Sequence, residues 1–159
     1  LAQHLDEAVG FPLSEADVDR IDALHATLTR HAEDAEFRET FWEVVVHASR
    51  AAEPVYRARV LADAGGETGR AGYFEALLEL ASGFEVQRRG GSWLLWMDWA
   101  SHVTHALMNL ARHGEAVAMQ RQIVRTLARE NPGDTAMAAS AEALLAGLES
   151  MERLSGPPV

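Results

Sequence analysis

Gly90–His113 reads GGSWLLWMDWASHVTHALMNLARH. It carries three of the chain's four tryptophans and three of its seven histidines. Apolar residues recur at helical spacing, which predicts a helix over 92–112 with Gly114 ending it. On a helical wheel Trp93, Trp96, Trp99, Ala100, Val103, Leu107 and Leu110 share one broad face, wide enough to be the central contact of a core. The competing use of three tryptophans is an aromatic ligand pocket. A core helix filled with large side chains is the simpler reading. Asp98, His102, His105 and Asn109 lie on the opposite side, at spacings of four, three and four that keep them on one stripe.

Downstream, helix 115–130 is expected to turn Met119, Ile123 and Leu127 inward. Arg121, Arg125 and Arg129 form a stripe at four-residue spacing that reads as solvated. Asn131-Pro132-Gly133-Asp134 is a turn, with Asp134 as the N-cap of a last helix over 135–153. In that helix Ala139, Ala143 and Ala146 offer a smooth packing surface beside Leu144, Leu148 and Met151.

Upstream, residues 1–9 form a short candidate helix. Ser14 and Asp17 resemble a capping box, and Val18, Ile21, Leu24 and Leu28 mark an amphipathic helix over 14–31. Asp34 is the expected N-cap of helix 35–51, whose inner face would hold Phe37, Phe41, Val44, Val45 and Ala48. Pro54 suits the first turn of a helix that buries Val55, Tyr56, Val60 and Leu61. Asp63–Arg70, with three glycines, reads as a loop and as a mobile segment. It follows a helix and lacks a lysine, so it is not a phosphate cradle. A further helix holds Tyr73, Phe74, Leu77, Leu78 and Ala81. Arg88–Gly91 is a second loop.

These elements make an all-α fold of seven or eight helices joined by short turns, which place sequential helices antiparallel. Two architectures fit: stacked helical hairpins, or a closed up-down bundle. The whole of 1–159 reads as one helical domain, with a first set of hairpins over 14–84 and a second half over 91–154.

The second half contains ALMNLARHGEAVAMQRQIVRTLARENPGD at 106–134 and AEALLAGLESMERLSG at 141–156. From Ser101 to Leu154 this wording resembles a tetratricopeptide repeat. Ala106, Leu107 and Leu110 precede the turn, Gly114-Glu115-Ala116 opens the second helix, and Pro132 closes it. The inter-helix turn is shorter than the family's, and the family's aromatic positions are not clearly filled. The resemblance implies a solenoid whose concave face binds a peptide or another domain.

Composition removes several function classes. The formal net charge of −10 opposes binding to nucleic-acid phosphates or to an anionic membrane surface. All 14 basic residues are arginine, so no Schiff-base lysine and no Walker-type loop exist in this chain. Without cysteine there is no thiol catalysis, no Cys-ligated zinc and no disulfide. The Ala, Arg and Gly bias points to a GC-rich bacterial source. The Cys-free chain, with neither a signal-type segment nor a long apolar run, points to the cytoplasm.

The leading functional expectation is a non-enzymatic interaction module with no cofactor. Its groove would be lined by Asp98, His102, His105 and Asn109, with Arg121 and Arg125 on the rim, and would hold a protein or peptide partner. One alternative pairs Glu43 and His47, from the stripe Glu36, Thr40, Glu43 and His47, with Asp98, His102 and His105. Together they would form a carboxylate–histidine site for zinc, iron or manganese. Another alternative is a homodimer contact through an exposed part of the Trp93/Trp96/Trp99 face. His25, His31 and His113 read as surface or helix-end residues. His113 is expected near a helix C-terminus, where the dipole favours a cation.

Overall fold

The computed structural model describes residues 34–87 and 92–156, together with Asp19, Ala23 and Ala26, which are helical. The remainder of the helices expected over 1–9 and 14–31, the Arg88–Gly91 loop, His25 and His31 lie outside the described residues. Among the described residues there are six α-helices, one 3-10 turn and no strand. They are α1 (Ala35–Ala48), the 3-10 turn Ser49–Ala51, α2 (Pro54–Thr68), α3 (Ala71–Gln87), α4 (Trp93–Asn109), α5 (His113–Glu130) and α6 (Thr135–Leu154). None of these helices is long and apolar enough to cross a membrane. The chain divides into two compact units, 1–73 and 74–159, and the division falls in the first turn of α3.

In the first unit, α1 starts where Asp34 caps it, accepting from the Glu36 and Phe37 amides at 3.1 Å each. Pro54 opens α2 at its first turn. The two helices pack through Phe41, Trp42 and Val45 of α1 against Val60 and Ala64 of α2, with Val46 and Tyr73 at the margin. Phe41 and Trp42 meet edge to face at 5.6 Å. The buried face of α1 is therefore rotated from the one expected. Trp42 takes the inner position, while Val44 is 62% exposed and Ala48 is exposed too. The larger ring removes more apolar surface from water than a valine at the neighbouring position, and that sets the rotation.

The glycine-rich segment after Asp63 is a second correction. It is helix, not loop: α2 continues through Gly65 and Gly66 to Thr68, and Ala64 and Gly65 are buried. Each glycine costs a helix about 1 kcal/mol relative to alanine. Burial of Leu61 and Ala64 along the same helix offsets that cost. The stop comes at Gly69, in left-handed conformation with φ 69° and its amide donating to the Gly65 carbonyl at 2.8 Å. Arg70 then reaches back to α1. Its two terminal nitrogens donate to Glu43 and Glu39, each at 2.8 Å, and tie the α2–α3 turn to a stripe one helical turn long. Both carboxylates raise the Arg70 pKa further, the Glu43 hydrogen bond most.

In the second unit, α4 and α6 each pack against α5. Trp96, Trp99, Ala100, Val103 and Leu107 of α4 are buried, so the aromatic face is core, with Trp93 left half-buried at its end. Ala116, Val117, Gln120, Ile123, Thr126 and Leu127 of α5 are buried, a face broad enough for two neighbours. Met119, expected inside, is half-buried. In α6 the buried residues are Ala141 and Leu148, with Leu145 half-buried between them. Ala139, Ala143 and Ala146, expected as the packing surface, are exposed.

The α4–α5 connection also differs from expectation. Gly114 lies inside α5, and α4 ends on Ala111 at φ 55°. The Arg112 amide donates to the Leu107 carbonyl at 2.9 Å and the Ala111 amide to the Met108 carbonyl at 3.1 Å. That pair of bonds is a Schellman cap built on alanine where glycine is usual. His113 consequently starts a helix rather than ending one. The dipole there favours an anion, a place taken by Glu115.

Candidate functional site

Within the second unit α4 and α6 flank α5 but make at most a marginal contact with each other. The space between them is an open groove of about 650 Å³. Its α4 wall is Trp93, Leu94, Met97, Asp98, Ser101, Thr104, His105 and Met108; its floor on α5 is Gln120, Ile123 and Leu127. The α6 wall is Met137, Ser140, Ala141 and Leu144. All three stripes follow three- and four-residue steps, which is the helical repeat.

Local sequence chemistry positions each wall. Ser92 caps α4, its hydroxyl accepting from the Leu94 amide at 3.3 Å. Asp134 caps α6, accepting from the Met137 amide at 2.9 Å. The buried polar groups of the wall and floor are satisfied. Thr104 donates to the Ala100 carbonyl at 3.0 Å, and Gln120 Nε2 donates to the Ala141 carbonyl at 3.0 Å. The latter bond joins α5 to α6 beneath the groove. Replacing water by a carbonyl partner there removes the desolvation cost of a buried amide. Apolar side chains remain uncovered above this floor: Leu94 is 59% exposed, and Met137 and Leu144 are exposed as well.

The residues expected to bind a partner divide. Asp98 and His105 are on the groove wall. His105 also meets Phe74 of α3 edge to face at 5.7 Å, which holds the ring on that side. His102 is largely buried, its Nε2 3.5 Å from Asp98 Oδ1 one turn earlier. Asn109 is exposed and donates to the His105 carbonyl at 2.9 Å, outside the lining. Arg121 is committed to Glu149 of α6 at 2.8 Å, and Arg125 is exposed on α5. Glu43 accepts from Arg70, and His47 is exposed on α1. Among the described residues no group of three or more His, Asp or Glu side chains is placed to hold a metal ion.

No protein-family model, curated protein or solved structure matches this chain. Of the groove's apolar members, Trp93 is already a candidate in the sequence, and the methionines are not. Met97, Met108 and Met137, three of the chain's five methionines, line the groove. A signal for two of them was present: Met97 and Met108 share the stripe of Asp98, Ser101 and His105. Met137 and Leu144 had no such signal, because both are ordinary core residues until α6 is placed.

Proposed function

We propose that the chain is a non-enzymatic helical interaction module that holds a peptide or a partner's segment in the α4–α5–α6 groove. One observation carries this reading. Two helices pack on a common third and leave their facing apolar stripes uncovered, with Leu94, Met137 and Leu144 at the opening. Exposed apolar side chains gathered along one concave groove are a surface that a partner's apolar residues can cover. The consecutive packing of α4 on α5 and α5 on α6 supports the stacked-hairpin, tetratricopeptide-like arrangement. The buried polar groups of the groove, Thr104 and Gln120, are already bonded within the fold.

The test is selection of a displayed random-peptide library on the full chain, with counter-selection on the double variant Met137→Gln, Leu144→Gln. Groove binding predicts enriched peptides that bind the parent chain and lose binding to the double variant. Enrichment of peptides indifferent to the double variant, or no enrichment, refutes it.

A further inference from the structure

The spacing and the charge of the groove together describe its occupant. The α4 wall sets Trp93, Leu94, Met97 and Met108 around a polar stretch from Asp98 to His105, and the α6 wall sets Met137, Ala141 and Leu144 around Ser140, all at helical intervals. The three stripes are three sides of a four-helix packing, and the open side has helical periodicity. An amphipathic helix laid into such a groove presents its anchors at i, i+3, i+4 and i+7, the same steps that the walls follow. Among the described residues no arginine lines the groove, and Asp98 is its one acidic member. The Asp98 side chain is 50% exposed even with His102 beside it on its own helix, so its carboxylate is accessible to a cation. Met97, Met108 and Met137 supply flexible, polarisable side chains that repack around aliphatic or aromatic anchors.

We infer that the groove takes a cationic amphipathic helix. Its apolar residues at i, i+3, i+4 and i+7 seat against Met97, Ile123 and Leu144, and an Arg or Lys flanking that seam pairs with the Asp98 carboxylate. The inference rests on the groove reading above. The α4 wall runs from Trp93 to Met108, roughly 22 Å at 1.5 Å per residue. About four turns of helix fill that length.

Three labelled synthetic peptides of about 18 residues test the inference by fluorescence anisotropy with the full chain. One has a Leu/Met seam flanked by Arg, one has Glu in place of each Arg, and one is a scramble of the first. The Arg peptide should bind, and its Glu counterpart should bind at least about tenfold more weakly. Asp98→Asn should weaken the Arg peptide about two- to fivefold and leave the Glu peptide unchanged. The Met137→Gln, Leu144→Gln variant changes exposed residues only, and circular dichroism verifies its fold; it should abolish binding. If Arg and Glu peptides bind alike and both fail on the double variant, the groove reading stands and the cationic inference falls. If no peptide responds to the double variant, both fall. Equal binding of the scramble signals general attraction to the acidic chain and overturns the inference. So does a dimer in sedimentation equilibrium that the double variant dissociates, since a second copy would then be the occupant.

Discussion

Leu148→Ala, set against Leu144→Ala, tests how α6 is seated. The two residues are one helical turn apart, and a reading by hydrophobicity treats them alike. In the structure Leu148 is 1% exposed and Leu144 is 42% exposed. Truncating Leu148 deletes three buried carbons, roughly 2.4 kcal/mol of transfer free energy at ~0.8 kcal/mol per methylene. The cavity left behind brings the expected loss to about 3 kcal/mol or more. Truncating Leu144 removes carbons already near water and should cost about 1 kcal/mol or less. Because Ala141 and Leu148 are the buried residues of α6, the larger loss should also appear locally. Urea unfolding followed by circular dichroism gives the two free energies. Hydrogen exchange of the α6 amides shows whether that helix opens before the rest of its unit. Equal losses from the two truncations would refute the register of α6 on α5. So would a Leu148→Ala loss below about 0.5 kcal/mol, the range of an ordinary surface change.

Four further outcomes are expected. Ala111→Gly should stabilise the second unit by roughly 0.5–1 kcal/mol, since it relieves a left-handed alanine but loosens the unfolded chain; Gly69→Ala should destabilise by about 1 kcal/mol for the converse reason. Urea midpoints check both. The Arg112 hydrogen bonds at 2.7 and 2.5 Å hold the Glu115 carboxyl below its ordinary 4.5. A folded pKa lowered in this way adds stability that is present above the unfolded value and disappears as pH falls through the folded one. Glu115→Gln should therefore be less stable than the parent at pH 7, and the two should converge once the pH falls below the lowered folded value, as unfolding across that pH range will show. Arg70→Ala should lower the melting temperature by an amount that shrinks between about 0.1 M and about 1 M salt, because the Glu39 and Glu43 pairs are exposed and screened. A salt-independent loss would mean that Arg70 acts through packing instead.

Much of the helical content was legible because its signals are local. Asp34, Pro54 and Asp134 act at helix starts through their own side chains and the next few amides. The errors were of another kind. Gly65 and Gly66 have the local look of a break, yet burial of Leu61 and Ala64 carries α2 through them. Gly114 was read as a stop, while Ala111 accepts the left-handed turn and moves the boundary. In the candidate site, Asp98 and His105 were visible as members of a polar stripe. The methionines and Leu144 across from them became wall only when α6 was placed.

Sequence by itself determined that the chain is helical and that Trp96 and Trp99 of the Gly90–His113 stretch serve the core. Periodicity and caps depend on residues within one or two turns, so they can be read along the chain. Tertiary structure decided which side of α1 and of α6 faces inward, where α2 and α4 stop, and which polar residues border a groove. Those outcomes depend on burial against helices distant in sequence, where one extra buried ring or leucine outweighs a local propensity of about 1 kcal/mol. The groove exists for the same reason: α5 has enough apolar surface for two partners, and α4 and α6, each satisfied on α5, leave their facing stripes open.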